Sequence, residues 1–133
     1  MPNLISRFFA LLAFMALSGG ALAAANLPPQ TSEQSGVTVQ VKPRSLTEPQ
    51  WEFEVTFNTH SQELKDDPLK NATLVVDGAA ALVPIAWKGD GPGSHHRKGV
   101  LRFKAPAASP AKLELRLQRP EEPAPRVFRW QLR

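Results

Sequence analysis

The sequence predicts an all-β fold built as an antiparallel sandwich. Apolar and polar residues alternate with a period of two in several short runs, and Gly, Pro and Asp cluster between those runs at close to regular spacing. No stretch has the 3.6-residue periodicity of a long amphipathic helix. A small β-barrel is the alternative that the same pattern allows.

The chain opens on a segment of a different kind. Residues 1–23 have the layout of a secretory signal peptide: Arg7, an apolar run from Phe8 to Leu17, then Ser18-Gly19-Gly20 and the small-residue pattern Ala21-Leu22-Ala23. The apolar run is about half the roughly 20 residues that a spanning helix needs, so no membrane span is expected in the mature chain. Removal of 23 of the 133 residues leaves 110, the size of one domain with a single core. The absence of cysteine excludes a lipid-attached N-terminus, a disulfide scaffold and thiol chemistry. A periplasmic or secreted location follows.

Residues 24–36, AANLPPQTSEQSG, show no periodicity that buries a face and are expected to form a flexible lead-in to a β-sandwich domain over 37–133. Val37, Val39 and Val41 alternate with Thr38, Gln40 and Lys42 as a half-buried strand. After a proline-containing turn, Trp51, Phe53, Val55 and Phe57 alternate with Glu52, Glu54, Thr56 and Asn58. This is the clearest strand, with four large apolar side chains on one face, each stabilising by on the order of 1.5–3 kcal/mol when fully buried. Glu52 and Glu54 face outward and read as solubilising charges.

Thr59 to Asn71 is a longer connection in which Asp67-Pro68 is placed like a helix cap and first helical residue. Ala72 to Asp77 is a short strand, Asp77-Gly78 a turn, and Ala81 to Trp87 a strand with Val83, Ile85 and Trp87 on one side. Pro84 within it cannot donate to a ladder, so that strand belongs at an edge or a bulge. A Gly/Pro loop separates it from Val100–Ala105. Leu113, Leu115 and Leu117 form the next strand, Arg119 to Pro125 a proline-rich loop, and Phe128, Trp130 and Leu132 the last. Seven antiparallel strands of this spacing are what an immunoglobulin-like sandwich requires.

If consecutive strands reverse direction, the loops over 59–71, 88–98 and 119–125 share one end of the sandwich. That end carries His60, His95 and His96, together with Asp66, Asp67 and Asp90. Binding residues concentrate on loops held by a rigid scaffold. Imidazoles with a carboxylate suit zinc or copper(II), with His60, His95 and His96 as ligands and Asp66, Asp67 or Asp90 completing the set. Adjacent histidines in extended backbone point opposite ways, so His95 and His96 converge only if the glycines kink the loop. Both methionines lie in the leader, which disfavours copper(I). Arg97 and Lys98 beside the glycines are candidates to bind an anion, although Gly91-Pro92-Gly93 lacks the Lys-Ser/Thr ending of a phosphate loop.

Ser94 beside His95 and Ser61 beside His60 do not make a catalytic triad, and no Gly-x-Ser-x-Gly elbow is present, so no enzyme is expected. Asn71-Ala72-Thr73 matches the short glycan-acceptor pattern. Basic residues number 16 against 12 acidic, and they are scattered rather than clustered with exposed aromatics, which argues against nucleic acid as a partner.

The run Trp51-Glu52-Phe53-Glu54-Val55 through Asn58-Thr59-His60-Ser61, with Ala86-Trp87-Lys88-Gly89-Asp90 and Gly93-Ser94-His95-His96-Arg97-Lys98-Gly99-Val100-Leu101-Arg102-Phe103, resembles a family of small uncharacterised secreted bacterial β-domain proteins. The resemblance covers about the middle half of the chain and implies a bacterial exported β domain in which the two histidine loops travel together; it implies no activity or cofactor. The expected function is that of a binding domain, with a metal ion at the loop end as its ligand. The alternative is an envelope protein-interaction or accessory module that uses an exposed edge such as the Pro84 strand.

Overall fold

The computed structural model describes residues 27–132. The expected signal peptide and the start of the expected lead-in lie outside the described residues. Among the described residues, nine strands form two antiparallel sheets, with no closed barrel. They are β1 (Gln30–Gln34), β2 (Val37–Leu46), β3 (Gln50–Thr59), β4 (Ala72–Val76), β5 (Ala80–Leu82), β6 (Ala86–Gly89), β7 (His96–Lys104), β8 (Lys112–Leu117) and β9 (Arg126–Gln131), with one helical turn, α1 (Pro68–Asn71), before β4. One sheet has the order β1-β2-β3-β7-β6 and the other β5-β4-β8-β9.

Two strands exceed the seven that the alternation predicts, and each has a local reason. Gln30–Gln34 lies in the expected lead-in but pairs with β2 through a two-residue turn, where Ser35 and Gly36 have φ of 53° and 76°. Its polar sequence hides it from a search for buried faces: β1 is an edge strand with no fully buried side chain. Ala81–Trp87 breaks at Val83-Pro84-Ile85 into β5 and β6, which belong to different sheets. Pro84 therefore marks a crossing between layers. Val83 and Ile85, expected on one side of a single strand with Trp87, lie instead on the segment that crosses between the sheets and are 72% and 50% exposed.

The inward faces meet as expected. Val37, Val39 and Val41, then Trp51, Phe53, Val55 and Phe57, pack against Leu74, Leu101, Phe103, Leu113, Leu115, Leu117, Phe128 and Trp130 in one core. Phe53 bridges the layers, with its ring 5.7 Å from Phe103 in its own sheet and 5.8 Å from Trp130 in the other. At the β6–β7 edge Gly89 faces Gly99, and Trp87 covers Gly99 so closely that a Cβ there would lie 2.5 Å from the indole. Glycine is thus required at 99 to seat Trp87.

The two flanks of the sandwich differ. On one, β1 lies against β9, and Trp130 donates from Nε1 to the Pro28 carbonyl at 2.8 Å. On the other, β5 and β6 end their sheets and are joined by Val83–Ile85, with α1 lying against β6. Among the described residues, no helix is long and apolar enough to cross a membrane.

Candidate functional site at the loop end

The loops expected to share one end do so. The Leu64 amide donates to the Ser94 carbonyl and the Gly93 amide to the Leu64 carbonyl, each at 3.0 Å, joining the first two loops. Asp66 in the first loop meets Arg119 in the third through both carboxylate oxygens, at 2.8 and 3.1 Å.

Buried charge holds these loops in place. Arg119 also donates to Glu122 at 2.9 Å, and Glu122 accepts from Arg126 Nε and Nη2, both at 2.8 Å. Arg126 spends its remaining donors on the Ser32, Val37 and Gln34 carbonyls at 3.0, 2.9 and 2.8 Å, so all five guanidinium hydrogens are used. The Glu122 carboxyl is held below its ordinary range by hydrogen bonds from Arg126, which with those from Arg119 outweigh the opposing effect of burial. Arg119 is shifted upward: burial disfavours its charge, but the hydrogen bonds and charges of Asp66 and Glu122 prevail.

This network escapes a search for site residues, yet it leaves a trace in the alternation. Arg126 continues the inward row of Phe128 and Trp130, Arg119 that of Leu113, Leu115 and Leu117, and Arg97 that of Leu101 and Phe103. Each arginine is an inward position at the same end of a core row. A charge there must be buried and paired.

Arg97 is accordingly not an exposed anion-binding cation. It is 2% exposed, its guanidinium lies 5.7 Å over the Phe57 ring, and it donates to the Asp66 carbonyl at 2.7 Å and twice to the Asp90 carbonyl. Lys98 is exposed, but its ammonium pairs with Glu54 at 3.4 Å on the outer sheet face.

The six expected metal ligands are placed as follows. His60, His95 and His96 are all exposed, and His96 donates from Nδ1 to Asn58 Oδ1. Asp66 is buried with both oxygens on Arg119. Asp67 caps α1 by accepting the Lys70 amide at 3.3 Å, and Asp90 Oδ2 accepts the Lys98 amide at 3.0 Å. The carboxylates thus serve the loops themselves. Among the described residues, no three His, Asp or Glu side chains stand together so as to hold a metal ion.

What the end offers to solvent is a polar depression of about 320 Å³ lined by Gln62, Glu63, Lys65, Arg119, Pro120 and Glu121. It has no nucleophile beside a base. Comparison with protein-family models, with curated proteins and with solved structures gives no match, so the chemistry of the chain is read from its own geometry.

Proposed function

We propose that the protein is a non-enzymatic interaction module of the bacterial envelope, a variant of the immunoglobulin-like sandwich that docks a partner protein on its β5–β6 flank. The observation that carries this reading is the placement of exposed apolar side chains. Val83 at 72%, Ile85 at 50% and Leu69 at 44% are the large hydrophobics left exposed among the described residues. Val83 and Ile85 lie on the β5–β6 crossing, and Leu69 on the helical turn beside β6. Grouped exposed apolar residues mark contact surfaces more often than scattered ones do. The opposite flank, between β1 and β9, is closed by Arg126 and Trp130. The metal reading through His60, His95 and His96 needs ligands to converge, and it ranks second because no three such side chains stand together among the described residues.

Photoreactive side chains placed singly at 83 and 85, and at the exposed control position Thr31 on β1, test the reading in cells. The expected result is the same discrete protein adduct from 83 and 85 and none from 31. Identical adduct patterns from all three positions would overturn it, and an adduct of twice the chain's own mass would identify the partner as a second copy.

A further inference from the structure

The outer face of the β5-β4-β8-β9 sheet carries a second feature, independent of the flank. Here Glu114 stands between Arg116 on its own strand and Arg129 opposite it on β9. Its two carboxylate oxygens each take one Nε–H: Arg116 on Oε2, and Arg129 on Oε1 at 2.8 Å. Each guanidinium is therefore fixed by its inner edge, and no hydrogen bond occupies its terminal nitrogens among the described residues. Both side chains remain open, at 49% and 73% exposure. Burial pushes the Glu114 carboxyl up, but the hydrogen bonds and charges of Arg116 and Arg129 together outweigh it and hold the carboxyl below the ordinary range.

Lys112 adds a third cation, with no ion pair among the described residues; the nearby Asp77 carboxylate is taken up by the Ala111 and Lys112 amides at 2.8 and 3.0 Å. The cations surround a concavity of about 530 Å³ whose lining also includes Val75. Val75 points outward by the strand alternation and is nonetheless buried. A single small ion leaves most of such a volume unfilled, whereas small-molecule sites run from about 300 to 1,000 Å³.

We propose that this face binds a small amphiphilic anion, its phosphate or carboxylate head held by the terminal nitrogens of Arg116 and Arg129 with Lys112 alongside, and its apolar body lying over Val75. Orientation of both guanidinium groups by Glu114 before the ligand arrives removes part of the ordering cost of binding, and bidentate geometry favours a planar or tetrahedral oxyanion.

Calorimetric titration of the mature protein with hexyl phosphate, inorganic phosphate and hexanol tests the proposal. Hexyl phosphate is expected to bind with one site per chain, inorganic phosphate at least about tenfold more weakly, and hexanol without saturation. An R116Q/R129Q variant is expected to lose about tenfold or more in hexyl phosphate affinity, as befits two charge-assisted hydrogen-bonding groups. A K42Q/R44Q variant, which removes the same charge from the other sheet, is expected to bind as the parent does. The proposal is overturned by absence of saturable hexyl phosphate binding, by equal losses in the two variants, or by equal affinity for hexyl and inorganic phosphate. Circular dichroism and tryptophan fluorescence report whether each variant is folded.

Discussion

Replacing Arg126 by alanine tests whether buried charge holds the loop end and the first hairpin together. The substitution removes five hydrogen bonds: two to Glu122 and three to the Ser32, Val37 and Gln34 carbonyls. It leaves Glu122 buried with Arg119 alone. Removing one partner of a buried ion pair costs about 3–5 kcal/mol, a large share of the roughly 5–15 kcal/mol that stabilises a domain. At about 4 °C per kcal/mol for a domain of this size, the midpoint of thermal unfolding should fall by roughly 12–20 °C. Arg126→Lys keeps the charge but offers three donors where five hydrogen bonds are made, so at least two of the five are lost, at about 1–3 kcal/mol for each buried acceptor left unmet. Urea unfolding followed by tryptophan fluorescence measures both variants, and hydrogen exchange localises the effect. Amides of β1 and β2 should lose protection before those of β3 and β7, since Arg126 ties the β1–β2 hairpin to β9. A loss below about 1 kcal/mol in Arg126→Ala, or uniform loss of protection, would refute the clamp.

The Glu122 carboxyl is depressed in the folded state, so its contribution is complete above its ordinary value of 4.5 and is lost as pH falls through the lower folded value. Stability should therefore decline on acidification below about pH 5, and Glu122→Gln, measured by urea unfolding across that range, should flatten the decline while lowering stability at neutral pH. Gly99→Ala puts a Cβ 2.5 Å from the Trp87 ring and should cost about 1–3 kcal/mol in the same assay. Gly89→Ala meets the Gly99 Cα at 2.3 Å and the Lys98 carbonyl at 2.5 Å and should cost more, because its close contacts are all with strand backbone. Single alanine substitutions of His60, His95 and His96 should leave stability within about 0.5 kcal/mol, as these side chains are exposed. Zinc titration of the parent should give no stoichiometric site of micromolar affinity; a one-to-one isotherm abolished in all three variants would restore the metal reading.

The core was legible because its signal is repetitive. Phe53, Val55 and Phe57 could face only one way, and the facing rows on β7, β8 and β9 followed from the same alternation. The first hairpin was hidden because β1 buries almost nothing; its Ser35-Gly36 turn was present in the sequence without an apolar row to give it weight. Val83–Ile85 misled for the opposite reason, since apolar residues at strand spacing suggest one continuous strand where the proline between them marks the crossing from one sheet to the other. The loop end shows where residue type and position part company. His60, His95 and His96 drew attention by their chemistry, but they sit on the outside of their loops. Arg97, Arg119 and Arg126 look like ordinary solvated cations until each is counted along the alternation of its strand, or just past the strand's end for Arg119, and found in a buried position. An arginine at such a position costs several kcal/mol unless its donors are met, so finding three at one end of the core demands acceptors there. Asp66, Glu122 and the carbonyls of Asp66, Asp90, Ser32, Gln34 and Val37 are those acceptors. The polar residues of the loop end are thus largely engaged in holding the fold. Among the described residues, exposed apolar side chains and guanidinium edges without a hydrogen bond lie elsewhere, at Val83 and Ile85 and beside Glu114.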